Sequence, residues 1–253
     1  MTSTAPDPLA PLLALPGVAE AADAARAALA TVHRHPANRR GWPTTAAESV
    51  LRGARASAGV EGASVRLDTD VDPDEVLSAA LRVAGELTGE SLDRAVAVWT
   101  RSPLQELAHL HLLAASGPGV DPQDLGRPRA EEGVAERLHG LAELVTGGTR
   151  APAPVTAAVV LGEISGLRPF GSADGIVARA AFRLVAVSTG LDPHCLGVPE
   201  VTFYRDPAAH RAALEGYMTG TEEGVADWLL YCCRALEAGA REATSIADAA
   251  GGS

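Results

Sequence analysis

The chain has 253 residues, of which 47% are hydrophobic and only 4% aromatic, and its formal net charge is −11. This charge disfavours nucleic acids and anionic membranes as partners, because both present negative phosphate groups. All the basic residues are arginine, and the absence of lysine excludes a Schiff-base lysine and the phosphate-binding lysine of a P-loop.

The cysteines and the lack of a long apolar run indicate the compartment. Cys195, Cys232 and Cys233 have no C-x-x-C spacing, so they predict buried, reduced thiols and no metal site. The apolar stretch 9–18 is interrupted by prolines and lacks a basic flank, which is not typical of a signal peptide. No stretch approaches the ~20 apolar residues of a membrane span. We therefore expect a soluble, cytoplasmic protein.

Apolar residues recur at helical spacing in nearly every segment, and β-branched runs are scarce. This pattern predicts an all-α protein. The predicted helices cover 18–32, 46–58, 74–87, 103–115, 130–145, 154–167, 175–189, 207–217 and 222–242. We expect an N-terminal helical region over 1–115, a core over 116–242 and a disordered tail over 243–253.

The clearest chemical signal lies between Leu167 and Arg179, in the sequence LRPFGSADGIVAR. One helix ends before Pro169 and another begins near Gly175, so the first N–H groups of the new helix point at a common position. The positive end of the helix dipole favours an anion there, and Arg179 could bind the same anion bidentately. Phe170 would anchor the loop in the core. The alternative is an ordinary helix–loop–helix turn, since glycine-rich turns often precede helices.

This segment resembles the signature of the Fic (Fido) family, His-Pro-Phe-x-(Asp/Glu)-Gly-Asn-Gly-Arg-x-x-Arg, and aligns with it from position 168 without a gap. Residues 154–158, 203–204 and 228–231 resemble the helices that precede and follow the signature. The resemblance implies a Fic/Doc-like helical fold with an N-terminal extension, in a family that transfers AMP or a similar group to a target hydroxyl. The anion- or nucleotide-binding positions it implies are Phe170, Gly171, Ser172, Ala173, Asp174, Gly175 and Arg179.

A second motif lies upstream. Some Fic proteins carry an inhibitory helix with the pattern (Ser/Thr)-x-x-x-Glu-(Gly/Asn), and Ser57, Glu61 and Gly62 fit it in the sequence SAGVEG. In such proteins the glutamate pairs with the second signature arginine, here Arg179, and blocks the outer phosphate. The resemblance therefore predicts a partly buried ion pair, with Glu61 within ~4 Å of Arg179. The alternative is a solvent-facing glutamate at a glycine-terminated helix end.

Several signature positions carry other residues. Arg168 replaces the general-base histidine, and an arginine side chain has only donors, so it cannot accept the hydroxyl proton. Ser172 replaces the Mg²⁺-binding carboxylate, and a hydroxyl is a weaker ligand for a hard cation. Ala173 replaces a glycine, which costs ~1–2 kcal/mol if this position needs a positive φ. Ile176 replaces the first of the two arginines that hold the outer phosphates.

Asp174 replaces the signature asparagine. It could act as the base in place of histidine, although Arg168 and Arg179 would lower its pKa and make it a poor one. Two further features are weaker. The segment 116–130 stands where the family has its target-binding flap, and residues 126–129 could bind an acidic peptide. His109 and His111 lie two residues apart on a predicted helix, so they point to different faces and cannot share a metal.

Three functional hypotheses follow. The first is a binding or regulatory module that has lost standard AMP transfer and holds a phosphate-bearing ligand, with a nucleotide as the candidate. The second is an active transferase with altered chemistry. The third is an interaction protein whose anion site is vestigial. The expected partner is a phosphate-bearing small molecule or a protein, and neither its identity nor a cofactor follows from the sequence.

Overall fold

The computed structural model describes residues 6–65, 74–117 and 120–252. Its α-helices are α1 (Val18–Arg34), α2 (Asn38–Val60), α3 (Glu75–Gly85), α4 (Gly89–Trp99), α5 (Pro103–Ala115), α6 (Val134–Glu143), α7 (Ala153–Leu167), α8 (Asp174–Ser188), α9 (Glu200–Arg205), α10 (Pro207–Met218) and α11 (Glu222–Gly251). The described ranges contain no β-strand, which confirms the all-α prediction. None of their helices is long and apolar enough to cross a membrane.

Helices α7 and α8 form the centre of the molecule, as predicted. Most residues of both are buried, and the two helices pack along each other. Helix α11 covers α7, where its fully buried Trp228 donates the indole N–H to the carbonyl of Ala158 at 2.8 Å. Gly162 permits this approach, because a Cβ there would lie within 3.0 Å of both Trp228 and Tyr217. Neighbouring helices therefore fix the α7–α8 pair.

The N-terminal helices bring the end of α2 to the beginning of α8, since α2, α3 and α5 all contact α8. Helix α2 begins earlier than predicted. Asn38 is buried at its start, donates to the carbonyl of Val32 and accepts from the Thr45 hydroxyl, which stabilises the turns before position 46. Helix α4 was not predicted, and its buried residues Leu92 and Trp99 give it a core-facing side.

The predicted disordered tail is wrong for the described residues, because α11 continues to Gly251. Ala243, Ile246 and Ala247 are buried, so the apolar side of the helix extends beyond the predicted end. Helix α1 packs along α11 and supplies the surface that buries this side. The three cysteines are buried and free, as expected. The boundary expected near 115 stays a prediction.

Candidate functional site

The loop between α7 and α8 is a tight turn with three left-handed residues. Arg168 (φ 48°) ends α7, Gly171 (φ 79°) lies in the middle, and Ala173 (φ 54°) immediately precedes α8. A left-handed conformation costs a non-glycine residue ~1–2 kcal/mol. Arg168 and Ala173 therefore adopt a backbone conformation that glycine would adopt at lower cost. Ala173 stands where the family signature has a glycine, so the side chain at this position destabilises the loop.

Phe170 anchors the loop, as expected. Its ring is buried and stacks on the imidazole of His111, with centroids 4.2 Å apart and planes 7° from parallel. His111 lies on α5, with Nε2 3.2 Å from Ser172 Oγ and Nδ1 2.9 Å from the backbone nitrogen of Gly126. The spacing of His109 and His111 excludes a shared metal and indicates no other role for His111. No local pattern places α5 beneath this loop, so its contact with the site was missed.

Asp174 faces the inside of the loop. Its Oδ1 accepts the backbone N–H of Phe170 at 2.9 Å, and its buried Oδ2 has no hydrogen-bond partner among the described residues. Burial raises the pKa of Asp174, and the hydrogen bonds from Phe170 and Gly171 offset only part of that rise. The expectation of a lowered pKa is therefore wrong in its net direction. Arg168 does act in that direction, but burial outweighs it.

Arg179 lies in the second turn of α8, and only 3% of its surface is exposed. Its Nε donates to Ser57 Oγ at 2.7 Å, and its Nη2 donates to the Ser57 carbonyl at 3.1 Å and to Glu61 Oε1 at 2.7 Å. The predicted ion pair is therefore present. Its arginine side is buried, whereas the glutamate side chain is 37% exposed.

The end of α2 determines where Glu61 lies. Gly62 (φ 87°) stops the helix, and two backbone hydrogen bonds close it in a Schellman motif. The Glu61 carboxylate then lies against Gly175, the second residue of α8, so closely that a Cβ on Gly175 would overlap Glu61 Oε1. A protein carboxylate therefore occupies the positive end of the α8 dipole, where a ligand anion was expected.

Arg129, in the segment before α6, holds that segment against the loop. Its Nε donates to the carbonyl of Arg168 at 2.8 Å and its Nη2 to that of Leu167 at 3.0 Å, which satisfies acceptors at the end of α7. Its backbone N–H also donates to the carbonyl of Pro169 at 2.7 Å. Arg129 is thus engaged by the protein itself, which weakens the hypothesis that residues 126–129 bind an acidic peptide.

A cleft of about 640 Å³ opens beside the beginning of α8. Ser172, Ala173 and Ile176 form its wall on the α8 side, and Glu61 and Glu75 contribute carboxylates to it. Helices α3 and α5 supply mainly small apolar side chains to the other walls. This volume lies within the range of sites for small molecules. We refer to this space as the α8 cleft.

The arginines near the α8 cleft are engaged by protein groups. Arg82 lines the cleft, but its Nε donates to the carbonyl of Leu113 at 2.8 Å and its Nη2 to that of Ser116 at 2.6 Å. Arg179 is held by α2, and Ile176 offers an apolar surface where the family signature has an arginine. Among the described residues, the cleft therefore offers a polyphosphate few free positive charges while Glu61 stays in place.

The residues of the loop do not fit a Mg²⁺-assisted diphosphate site. Ser172 is a hydroxyl, and the only carboxylate of the loop, Asp174, is buried inside it. Over the described ranges, no group of three or more His, Cys, Asp or Glu side chains is placed to hold a metal ion. A hard cation needs several oxygen ligands, preferably carboxylates, facing the same position.

The structure brings some of the predicted residues together and separates others. Ser57, Glu61, Gly175 and Arg179 meet at the beginning of α8. Ser172 and Ala173 line the cleft, whereas Phe170 and Asp174 lie beneath the loop. Gly171 is exposed and Gly62 ends α2. Arg168 is also exposed, and it does not line the cleft.

No protein-family model matches this chain, and no curated protein sequence matches it. A solved structure does match. A Fic family protein from Desulfovibrio desulfuricans G20 superposes with a TM-score of 0.71, covering 91% of this chain and 74% of that chain, at 17% sequence identity. At this identity the similarity establishes the fold, while function depends on the residues of the site. The chain therefore has the helical fold of a Fic family protein.

Proposed function

We propose that this Fic-fold protein is a binding or regulatory module that takes a phosphate-bearing ligand in the α8 cleft and has lost standard AMP transfer. The observation that carries the proposal is the position of Glu61. Its carboxylate pairs with Arg179 and lies against Gly175, at the end of α8 where a phosphate would gain most from the helix dipole. Glu61 then acts as an internal competitor for the ligand.

The residues of the loop support the loss of transfer chemistry. Arg168 stands at the position of the signature histidine, and its side chain has no lone pair that could take a proton. Loss of a general base typically lowers a rate by ~10²–10⁴. Asp174 is buried beneath the loop and accepts the N–H of Phe170, so it is poorly placed to replace that base. A transferase with Asp174 as its base is therefore the weaker candidate.

Partial exposure of Glu61 supports a regulatory role over a purely structural one. The Glu61 side chain is 37% exposed and lines the cleft, so it can leave Arg179 without opening the core. Arg179 stays fixed by Ser57 when Glu61 moves, because two of its hydrogen bonds go to that residue. The vacated position would then combine a buried guanidinium with the N–H groups of the first turn of α8. This combination favours a phosphate.

The proposal is tested by binding of AMP, ADP, ATP and pyrophosphate to the wild type and to Glu61→Gly, measured by calorimetry and by melting temperature. Glu75→Gly is the matched control, because it removes an equal charge from the same cleft but not from Arg179. We expect tighter binding only in Glu61→Gly. A ligand at a hundred times its dissociation constant adds ~2.7 kcal/mol of stability. Absence of binding to every form of the protein would favour a vestigial site, and equal gains in both variants would show a general charge effect.

A further inference from the structure

His111 is the one buried imidazole in contact with the candidate site, and the proposed function leaves its role unexplained. It is 1% exposed, lies under the loop against Phe170, and uses both ring nitrogens. Nδ1 faces the backbone N–H of Gly126 at 2.9 Å, and Nε2 faces Ser172 Oγ at 3.2 Å. The histidine therefore joins the segment before α6 to the residue that replaces the signature carboxylate.

The contact with Gly126 fixes the tautomer of the ring. A backbone N–H can only donate, so Nδ1 of His111 must carry the lone pair that accepts it. Burial lowers the pKa of His111, against an opposing hydrogen bond with the backbone of Ser172, and so favours the neutral ring. A neutral imidazole has one proton, which must then be on Nε2. Nε2–H therefore donates to Ser172.

This donation leaves the hydroxyl proton of Ser172 without a partner among the residues that the structure describes. A serine oxygen has one proton and two lone pairs, and one lone pair is taken by His111. Over residues 6–65, 74–117 and 120–252, the Ser172 hydroxyl makes no other hydrogen bond. Ser172 is exposed and lines the α8 cleft, so the free proton can turn to that side.

We propose that His111 is a positioning residue that turns the Ser172 hydroxyl into a hydrogen-bond donor for an anionic oxygen of the ligand in the α8 cleft. The inference rests on the proposed function. It also excludes His111 as the base that would activate this serine as a nucleophile, because a protonated Nε2 cannot take the hydroxyl proton. This role explains why a serine can replace the signature carboxylate at position 172. A hydroxyl can donate directly to a phosphate, whereas a carboxylate would repel it unless a metal ion lay between them.

Binding to variants in the Glu61→Gly background tests the inference, with AMP and pyrophosphate as the probes. Ser172→Ala removes the donor, and His111→Phe keeps a ring on Phe170 but removes both hydrogen bonds. We expect each to weaken binding by about 10- to 100-fold, the range for one hydrogen bond to a charged group. The double variant should bind no more weakly than Ser172→Ala alone, because His111 acts on the ligand only through the Ser172 hydroxyl. His111→Gln retains an N–H and should recover part of the affinity.

A second measurement reports the histidine directly. ¹⁵N chemical shifts of the His111 ring in the wild-type protein distinguish Nε2–H from Nδ1–H, and melting temperatures show whether each variant is folded. We expect the proton on Nε2. A proton on Nδ1, or a His111→Phe protein that binds as tightly as its parent, would overturn the inference and leave the proposed function intact. If Glu61→Gly binds neither probe, the proposed function fails and the inference fails with it.

Discussion

The carboxylate of Glu61 lies 2.7 Å from the guanidinium of Arg179, although the two residues are 118 positions apart in the chain. The arginine is 3% exposed and has two further hydrogen bonds to Ser57, whereas the glutamate is 37% exposed and lines the α8 cleft. The two partners therefore differ in what their removal does. Loss of the arginine affects the core, and loss of the glutamate opens a surface position.

Arg179→Ala should destabilise the protein more than Glu61→Gly. The first change removes the buried guanidinium and all three of its hydrogen bonds, and since each hydrogen bond to a charged group is worth ~1.5–3 kcal/mol, we expect a loss of about 3–5 kcal/mol. The second leaves Arg179 bonded to Ser57 and lets water reach the vacated position, so we expect about 1 kcal/mol. Urea unfolding gives both free energies. Equal losses would mean that Glu61 is a structural residue rather than a displaceable one.

Gly175→Ala should expel Glu61 without changing any charge. A Cβ at this position overlaps Glu61 Oε1, and the end of a flexible side chain is what yields. The same Cβ also stands where the proposed phosphate would bind, so we expect Gly175→Ala to lower stability and, unlike Glu61→Gly, to give no gain in phosphate affinity.

The matched control for this prediction is the same substitution in the Glu61→Gly background. There the Cβ has no carboxylate to meet and only Arg179 Nη1, 3.2 Å away, must give by a few tenths of an ångström. Alanine in a helix is better than glycine by ~0.5–1 kcal/mol, so the substitution should cost less stability than in the wild type. If Gly175→Ala has the same effect on stability in both backgrounds, Glu61 and Gly175 do not compete for this position.

The pairing of Glu61 with Arg179 was predictable because each partner belongs to a short motif with fixed spacing. Local geometry indicates only that a glycine ends the helix after Glu61 and that Arg179 lies one turn after a helix start. That the two residues meet follows from the resemblance to the Fic family, in which the inhibitory glutamate pairs with the second signature arginine. The contact between His111 and Ser172 has no such signal, since the two residues are 61 positions apart and α5 carries no motif.

The error at Asp174 has a different cause. Its neighbouring charges can be read from the sequence, but its burial cannot, and burial has the larger effect on its pKa. The end of α11 was missed for a related reason. Ala243 and Ala247 are only weakly apolar, so the sequence alone does not mark them as the buried side of a helix. They are buried because α1 covers this part of α11.

Ala173→Gly should stabilise the protein. The position has φ 54°, which glycine adopts without the ~1–2 kcal/mol cost of a side chain. Glycine also gives the unfolded chain more freedom, which offsets ~0.4–1 kcal/mol of this gain. We expect a net gain of up to ~1 kcal/mol in thermal or urea unfolding. Ala180→Gly, inside the same helix, is the control and should lose stability by ~1 kcal/mol or more. A loss at both positions would contradict the left-handed conformation.

Acid should destabilise the protein through His210. This residue is 5% exposed and stacks on Phe203, and burial lowers its pKa from 6.5 to about 4. Because the folded state binds this proton more weakly than the unfolded state, its contribution to stability is present above pH 6.5 and is lost as the pH falls towards 4. Between pH 7.5 and 5 the loss is ~2 kcal/mol. His210→Phe keeps a ring against Phe203 but has no imidazole to titrate. Over the same pH interval its free energy of unfolding should therefore fall by ~2 kcal/mol less than that of the wild type. Parallel curves for the two proteins would place the titration elsewhere.

ATP labelled at the α-phosphate should transfer no label to this protein or to added acceptor proteins. Arg168 cannot accept the hydroxyl proton, and the buried Asp174 is held by the N–H of Phe170. Arg168→His combined with Glu61→Gly restores a base and frees Arg179, yet we still expect no efficient transfer, since Ser172 and Ile176 remain.

A Fic enzyme with an intact signature serves as the positive control for the assay. Efficient labelling that disappears in Asp174→Ala would instead establish a transferase with an altered base. In that case burial, which raises the pKa of Asp174, would be what makes the carboxylate basic enough.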